Sequence, residues 1–341
     1  MDLATTERRL SAFLARRIGV ETVSLSAFKR MAGGASREIW SLDLSYELDG
    51  KAHTHALVLR RDPPGAAVET RRRDEFELLR AAAAAGVPVP AVHWLGDETE
   101  TLGAPFFLMD RIEGETIPRR LLRDDEYAAA RPAMTAQLGA ILANIHRIEP
   151  TPELLSFLVQ PEVGQSAVEF ELNRFEQIYQ LITPDPHPAF ELAIRWLRRR
   201  PPVGGRRCVV HGDFRIGNVI FGPEGVRSIL DWELTHIGDP MEDLAWLCVR
   251  SWRFGNDDKP VGGIGSRDEL FAAYEAAGGE RIEPEHVRTW EVLGNLKWAI
   301  ITIMQARTYL DGHVKSVELA SLGRRTAEME LELLNLIEET P

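Results

Sequence analysis

The sequence contains only two cysteines, Cys208 and Cys248, and they belong to no CxxC pair or metal-ligand cluster. A chain of 341 residues can bury a large core without disulfides, so we expect two buried thiols rather than a disulfide scaffold. Basic residues are also fewer than acidic ones, with 40 Lys and Arg against 52 Asp and Glu. The resulting net charge of −12 argues against a broad nucleic-acid-binding surface.

Long apolar runs are absent as well. The longest stretch near the C-terminus, 298–304, is far shorter than the roughly 20 residues of a membrane-spanning helix. Arginines interrupt the apolar residues of the N-terminal segment, so no secretory leader is expected; they are Arg8, Arg9, Arg16 and Arg17. We therefore predict a cytoplasmic protein with neither a membrane nor a nucleic-acid partner. The sequence leaves the oligomeric state open.

Several enzyme signatures are missing from the chain. It has no G-x-S-x-G nucleophile elbow, no H-E-x-x-H metal site, no P-loop, and no G-x-G-x-x-G between a strand and a helix. These absences disfavour a serine hydrolase, a zinc protease and a dinucleotide-dependent oxidoreductase.

Hydrophobic periodicity changes near residue 110. Before it, the pattern predicts a helix at 3–18, strands at 25–31, 39–48, 56–60, 89–95 and 106–109, and a helix at 68–85. After it, the pattern predicts helices at 124–148, 166–183, 188–199, 240–252, 267–277, 284–309 and 315–339, with short strands at 208–210, 219–221 and 226–230. We therefore predict an α+β protein, with a small antiparallel β lobe at 1–110 and a larger, mainly helical lobe at 111–341.

One segment combines residue types that phosphoryl transfer requires. It reads HGDFRIGN over 211–218, and ILDWE follows at 229–233. Such transfer needs a carboxylate to orient and deprotonate the attacking hydroxyl, oxygen ligands for Mg²⁺ and a cation near the phosphate. In the spacing of a kinase catalytic loop, Asp213 is the candidate base, Asn218 and Asp231 are candidate metal ligands, and Arg215 is placed to reach the transferred phosphate.

The motifs HGDFRIGN and ILDWELTHIGDPMEDLAW resemble those of the aminoglycoside phosphotransferase and choline kinase superfamily. With LVLRR-DPPG and GAPFFLMDRIEGE, the chain is similar, more narrowly, to the kinase-like domain that is fused to acyl-CoA dehydrogenases in some eukaryotes. The resemblance implies a bilobal, protein-kinase-like fold. It also implies transfer of a phosphate from ATP, or alternatively GTP, with Mg²⁺, to a hydroxyl group of a small molecule.

The resemblance also implies roles in the predicted β lobe. The 33–36 segment, with Gly33, Gly34 and Ser36, would cover the nucleotide phosphates, although a Gly-Gly pair is also a common hairpin turn. Arg60 stands where kinases place a phosphate-binding lysine, with Glu75 as its partner and Asp74 as the rival.

The connector between the predicted lobes and three bracing residues complete the implied site. Asp110 and Ile112 lie in the connector, whose backbone would read adenine. We expect Asp239, Asp243 and His211 to brace the catalytic loop or cap a helix rather than to react.

Two questions stay open at this stage. The acceptor is a hydroxyacyl-CoA-like compound, an antibiotic, or another hydroxylated small molecule such as a sugar or an amino alcohol. The arginine at position 60 also leaves a nucleotide-binding scaffold or pseudokinase as the alternative to an active kinase.

Overall fold

A computed structural model describes residues 3–31, 38–61, 72–97, 99–183, 185–200 and 206–338. The contacts divide the chain into two compact units. The first comprises 1–114, 152–157 and 227–233, and the second comprises 115–151, 158–226 and 234–341.

Helices account for most of the regular structure. They are α1 (Leu3–Ile18), α2 (Arg72–Ala84), α3 (Thr99–Leu102), α4 (Pro118–Arg123), α5 (Ala130–Ile145), α6 (Pro152–Leu155), α7 (Ala167–Ile182), α8 (Pro188–Arg199), α9 (Pro240–Cys248), α10 (Arg267–Ala276), α11 (Pro284–Leu310), α12 (Val317–Leu322) and α13 (Thr326–Glu338). Short 3₁₀ turns occur at 125–127, 216–218, 232–234, 250–252 and 323–325.

The strands are short in the second half of the chain and longer in the first. They are β1 (Ser24–Arg30), β2 (Glu38–Leu48), β3 (Lys51–Arg61), β4 (Val92–Gly96), β5 (Phe106–Asp110), β6 (Cys208–Val210), β7 (Val219–Gly222), β8 (Gly225–Ile229) and β9 (His236–Gly238).

The first unit is built on an antiparallel sheet with the order β1-β2-β3-β5-β4. Apolar residues of the sheet pack against α1, whose Leu10 and Leu14 are fully buried. Alternation of side chains across the pleated strands places Leu42, Leu44 and Leu57 in the same cluster. The helix and sheet therefore share one hydrophobic core.

The second unit is mainly helical, and two of its central helices differ from an ordinary surface helix. Every residue of α9 is buried. The 27-residue α11 is buried along most of its first half, including Glu291, Asn295 and Lys297. A helix surrounded on all sides belongs to the interior, so polar residues on these helices need internal partners.

The α+β class predicted from the sequence is confirmed, with several corrections of detail. β3 begins at Lys51 rather than 56, because its first residues are polar and half-exposed and carry little hydrophobic signal. The single helix predicted over 315–339 is wrong: α12 and α13 are separated by a 3₁₀ turn at Gly323–Arg325. The helix predicted over 240–252 ends at Cys248, since Val249 leaves the helical backbone region at φ −54° and ψ 133°.

Two further features of the fold bear on the sequence predictions. Both cysteines are free and buried, as predicted. Among the described residues, no helix is long and apolar enough to cross a membrane.

Candidate active site

The carboxylate of Asp213 is the centre of the candidate site in the second unit. It accepts hydrogen bonds from Asn218 Nδ2 at 2.7 Å, from Trp246 Nε1 at 2.8 Å and from Arg215 Nε at 3.1 Å. The side chain is mostly enclosed, with 14 % of its surface exposed. Three donors from two segments thus fix the orientation of a carboxylate that still reaches solvent.

The loop that carries Asp213 makes two tight turns. β6 ends at Val210, and the chain turns at Gly212, which has φ +76°. A Cβ atom on this glycine would lie 2.4 Å from the Leu234 carbonyl oxygen, so the turn requires glycine. The 3₁₀ turn at Ile216–Asn218 then brings Asn218 back toward the carboxylate.

Asp243 on α9 braces this loop by accepting hydrogen bonds from its backbone. Its carboxylate accepts the backbone amides of His211 at 2.7 Å and Gly212 at 2.9 Å, and it also accepts a hydrogen bond from His146 Nε2 at 3.2 Å. Burial acts to raise the pKa of Asp243, but the hydrogen bond with His146 and its charge outweigh burial and lower that pKa. The buried carboxylate therefore stays ionised.

The bracing roles predicted from the sequence are confirmed. His211 Nδ1 accepts the backbone amide of Asp213 at 3.2 Å, so His211 stabilises the loop conformation. Asp239 caps α9 by accepting the Met241 amide at 2.9 Å.

Arg215 contacts the candidate base itself. Besides its bond to Asp213, its guanidinium lies 5.0 Å from the centre of the Trp252 ring. Both contacts position a cation beside the carboxylate. Its predicted role at a transferred phosphate stays a prediction.

Sequence reasoning missed two residues of this site, Trp246 and Lys297. Trp246 lies within the GDPMEDLAW motif, but only the phase of α9 shows that its indole points to Asp213. Lys297 donates a hydrogen bond to the Gly212 carbonyl at 3.2 Å from 85 positions further along the chain. No local pattern in the sequence indicated this contact.

In the first unit, the predicted pairing of Arg60 with Glu75 is present, with the two charged groups 2.5 Å apart. Arg72, which is almost fully buried, contacts the other carboxylate oxygen of Glu75. One glutamate on α2 thus holds two arginines, and Arg60 is fixed on β3 with its side chain 12 % exposed.

The connector positions lie at the end of β5. The backbone amides of Asp110 and Arg111 donate to the carbonyls of Ala91 and Ala56, at 2.9 and 2.8 Å. The Asp110 carboxylate contacts His93 Nε2 at 2.6 Å. Within the described part of the chain, the Ile112 amide makes no such backbone bond.

The remaining predicted site residues are Asp231 and the glycine-rich segment at 33–36. Asp231, in the first unit, has φ +65°, a left-handed conformation that is uncommon outside glycine and concentrated at functional positions. Gly33, Gly34 and Ser36 lie outside the described residues.

Comparison with known proteins identifies the family of the chain. A model of the phosphotransferase enzyme family matches residues 37–284. Mouse acyl-CoA dehydrogenase family member 10 is 31 % identical over 236 residues, which cover 64 % of this chain and 21 % of the mouse protein. Chicken acyl-CoA dehydrogenase family member 11 is 26 % identical over 299 residues, covering 82 % of this chain and 38 % of that protein. The chain thus corresponds to well under half of either relative.

Solved structures show the same fold. A Ralstonia eutropha protein, provisionally described as an aminoglycoside phosphotransferase, superposes with a TM-score of 0.78 at 21 % identity, covering 97 % of this chain and 98 % of that one. A choline/ethanolamine kinase family protein from Mesorhizobium loti gives a TM-score of 0.59 at 19 % identity, covering 98 % and 96 % of the two chains. The predicted kinase-like fold and family resemblance are both confirmed, and the chain belongs to the phosphotransferase enzyme family.

Proposed function

We propose that this phosphotransferase moves the γ-phosphate of ATP to a hydroxyl group of a small molecule, with Asp213 as the base. The observation that carries the proposal is the convergence of Asn218, Trp246 and Arg215 on the Asp213 carboxylate. A carboxylate held in one orientation and partly open to solvent is suited to accept a proton from a bound hydroxyl.

Each side chain has a distinct part in this scheme. Asp213 would align the acceptor hydroxyl and take its proton as the oxygen bonds to the γ-phosphorus and the bond from that phosphorus to ADP breaks. Trp246 keeps the carboxylate in place through its hydrogen bond to Oδ1. Arg215 would stabilise the negative charge that develops on the transferred phosphate, since its guanidinium already lies beside Asp213.

Asn218 and Asp231 are the proposed Mg²⁺ ligands. The donor chemistry is suitable, because Asn218 uses its Nδ2 for Asp213 and keeps a carbonyl oxygen of the kind that a hard cation prefers. Asp231 offers a carboxylate on a strained backbone. When bound, Mg²⁺ would neutralise charge on the nucleotide phosphates.

The nucleotide would be held by the first unit. Arg60, fixed by Glu75, is the proposed contact of the α/β-phosphates, and the backbone near Asp110 and Ile112 is the proposed adenine contact. The proposal extends to Gly33, Gly34 and Ser36 over the phosphates. The paired state of Arg60 supports an active enzyme over the pseudokinase alternative, because this arginine keeps the glutamate partner expected of a kinase lysine.

The chemical class of the acceptor is the open part of the proposal. Related structures contain small hydroxylated antibiotics: one aminoglycoside phosphotransferase was solved with ADP and hygromycin B, and another with ATP and streptomycin. These ligands belong to those proteins, and they support a small molecule as the acceptor here. GTP is the alternative donor.

The test is phosphate transfer by the wild-type protein and by Asp213→Asn. Mg·ATP would be incubated with pools of hydroxylated acyl-CoA compounds, antibiotics and amino alcohols, and phosphate esters would be detected by ³¹P NMR. Asp257→Asn is the matched control, since Asp257 is a half-exposed carboxylate of the same unit that pairs with Arg250. We expect a product with wild type and control but none with Asp213→Asn. Equal product from all three proteins would contradict the assignment of the base.

A further inference from the structure

A buried lysine contacts the backbone of the loop that carries Asp213. Lys297 on α11 donates hydrogen bonds to the Gly212 carbonyl at 3.2 Å and to Glu242 Oε1 at 3.1 Å, and its ammonium is 3.8 Å from Glu171 Oε2. All three side chains are at most 5 % exposed. A lysine is rarely enclosed to this degree unless specific partners hold it.

The acids around this lysine have the spacing of a metal site. Ligand atoms of Glu171, His236 and Glu242 lie within 4.8 Å of one another. The Lys297 ammonium already supplies a cation at this point, and His236 Nε2 donates to Glu242 Oε2 at 3.1 Å. The cluster therefore balances its charge with chain residues, and a divalent ion would have to compete with the ammonium.

Ionisation of the cluster follows from its contacts. Burial acts to lower the pKa of Lys297, but the carboxylates of Glu242 and Glu171 outweigh it and raise that pKa. Burial likewise acts to raise the pKa of Glu242, but His236 and Lys297 lower it. The ammonium and the Glu242 carboxylate are thus both charged at neutral pH.

Lys297 acts on Asp213 indirectly, through two neighbouring groups. The first is the carbonyl of Gly212, the residue that directly precedes Asp213. The second is Trp246, whose ring centre lies 4.9 Å from the Lys297 ammonium and whose indole donates to Asp213 Oδ1. One cation therefore restrains both the backbone and a side-chain donor of the candidate base.

We propose that Lys297 is a positioning residue for phosphoryl transfer, which orients Asp213 through the Gly212 carbonyl and the Trp246 indole. The proposal rests on the proposed function for its catalytic meaning, but its structural part does not depend on it. Buried ion pairs add little net stability compared with apolar packing, so a charged group here is better explained by the orientation of the loop it contacts.

Hydrogen exchange of the protein without nucleotide tests the positioning directly. In Lys297→Met, we expect the Gly212 and Asp213 amides to exchange at least about tenfold faster than in wild type, because a hydrogen bond to a charged group restrains their loop. The Trp246 indole N–H resonance should shift in the same variant. Unchanged exchange and an unchanged indole resonance would overturn the proposal.

The matched control is Arg253→Met. Arg253 is also a buried cation that holds a backbone carbonyl, that of Cys248 at 2.7 Å, and a buried glutamate, Glu291 at 3.1 Å. Its loss should lower thermal stability comparably and leave exchange at Gly212 and Asp213 within about twofold of wild type. A rise equal to that in Lys297→Met would show a general loosening and would also overturn the proposal.

A second variant covers the case in which Lys297→Met fails to fold. Lys297→Met combined with Glu242→Gln removes one charge of each sign and still deletes the contact with the Gly212 carbonyl. The same exchange increase is expected.

A turnover measurement tests the catalytic part of the proposal about Lys297 separately from its structural part. ADP release from Mg·ATP, with water as the acceptor, should show a lower kcat and an unchanged KM for ATP in the Lys297 variant. Absence of Mg·ATP binding by wild type would refute the proposed function alone, since exchange and the indole resonance need no nucleotide.

Discussion

Replacing Asp243 with asparagine should open the catalytic loop, although the change alters the size of the side chain very little. The fully buried carboxylate accepts two backbone amides, those of His211 and Gly212, and a hydrogen bond from His146. Asparagine has a single acceptor oxygen, and its NH₂ group would face one of these donors. At least one buried donor therefore loses its partner.

The size of the effect follows from these contacts. An orphaned buried donor costs about 1–3 kcal/mol, and replacing charged by neutral acceptors weakens the remaining bonds by about 1 kcal/mol. We expect Asp243→Asn to lower the free energy of unfolding of the second unit by about 3 kcal/mol. Urea denaturation followed by tryptophan fluorescence measures this loss, with Asp257→Asn as a control that loses less than about 1 kcal/mol.

The pH dependence gives an independent check on the same carboxylate. Because the pKa of Asp243 is lowered in the folded protein, its stabilisation is complete above the ordinary value of 3.8 and is lost as pH falls through the native value. The difference in the free energy of unfolding between wild type and Asp243→Asn should therefore be constant near neutral pH and become smaller below pH 3.8. A stability loss below about 1 kcal/mol, or a difference that does not depend on pH in this window, would contradict the bracing role of the Asp243 carboxylate.

Three further substitutions have defined outcomes. Trp246→Phe removes a donor from the Asp213 carboxylate, and steady-state kinetics should show kcat reduced roughly tenfold with little change in melting temperature. Glu75→Gln deprives Arg60 and a second buried arginine of their shared charge; calorimetric titration should show weaker ATP binding, and unfolding should cost about 2 kcal/mol less. Gly212→Ala forces a side chain into a left-handed backbone against a carbonyl, so denaturation should show a loss of at least about 3 kcal/mol, whereas Gly50→Ala, at a similar φ with open space, should lose about 1 kcal/mol.

The sequence alone predicted those parts of the site that are close together along the chain. The 211–218 segment needs only a strand, a glycine turn and a 3₁₀ turn, and these place Asn218 beside Asp213 within six residues. Glu75 was found because one helix follows β3 and its first turn carries few acids.

The missed parts depend on long-range packing. β9 has three residues, His236–Gly238, too few for any periodicity to appear, yet it pairs with β6, the strand that leads into the loop of Asp213. Lys297 lies in a long helix whose pattern indicates burial without indicating a partner. Tertiary contacts of this kind have no local signal, and only the folded chain shows which buried cation meets which carbonyl.

The most direct test of the proposed nucleotide site is calorimetric titration of the protein with ATP and GTP, with and without Mg²⁺, using Asp231→Ala as the comparison. We expect nucleotide binding by wild type that depends on Mg²⁺ and is lost in the variant. Wild-type protein that binds neither nucleotide, or that binds equally well without Mg²⁺ and in the variant, would contradict the proposed site.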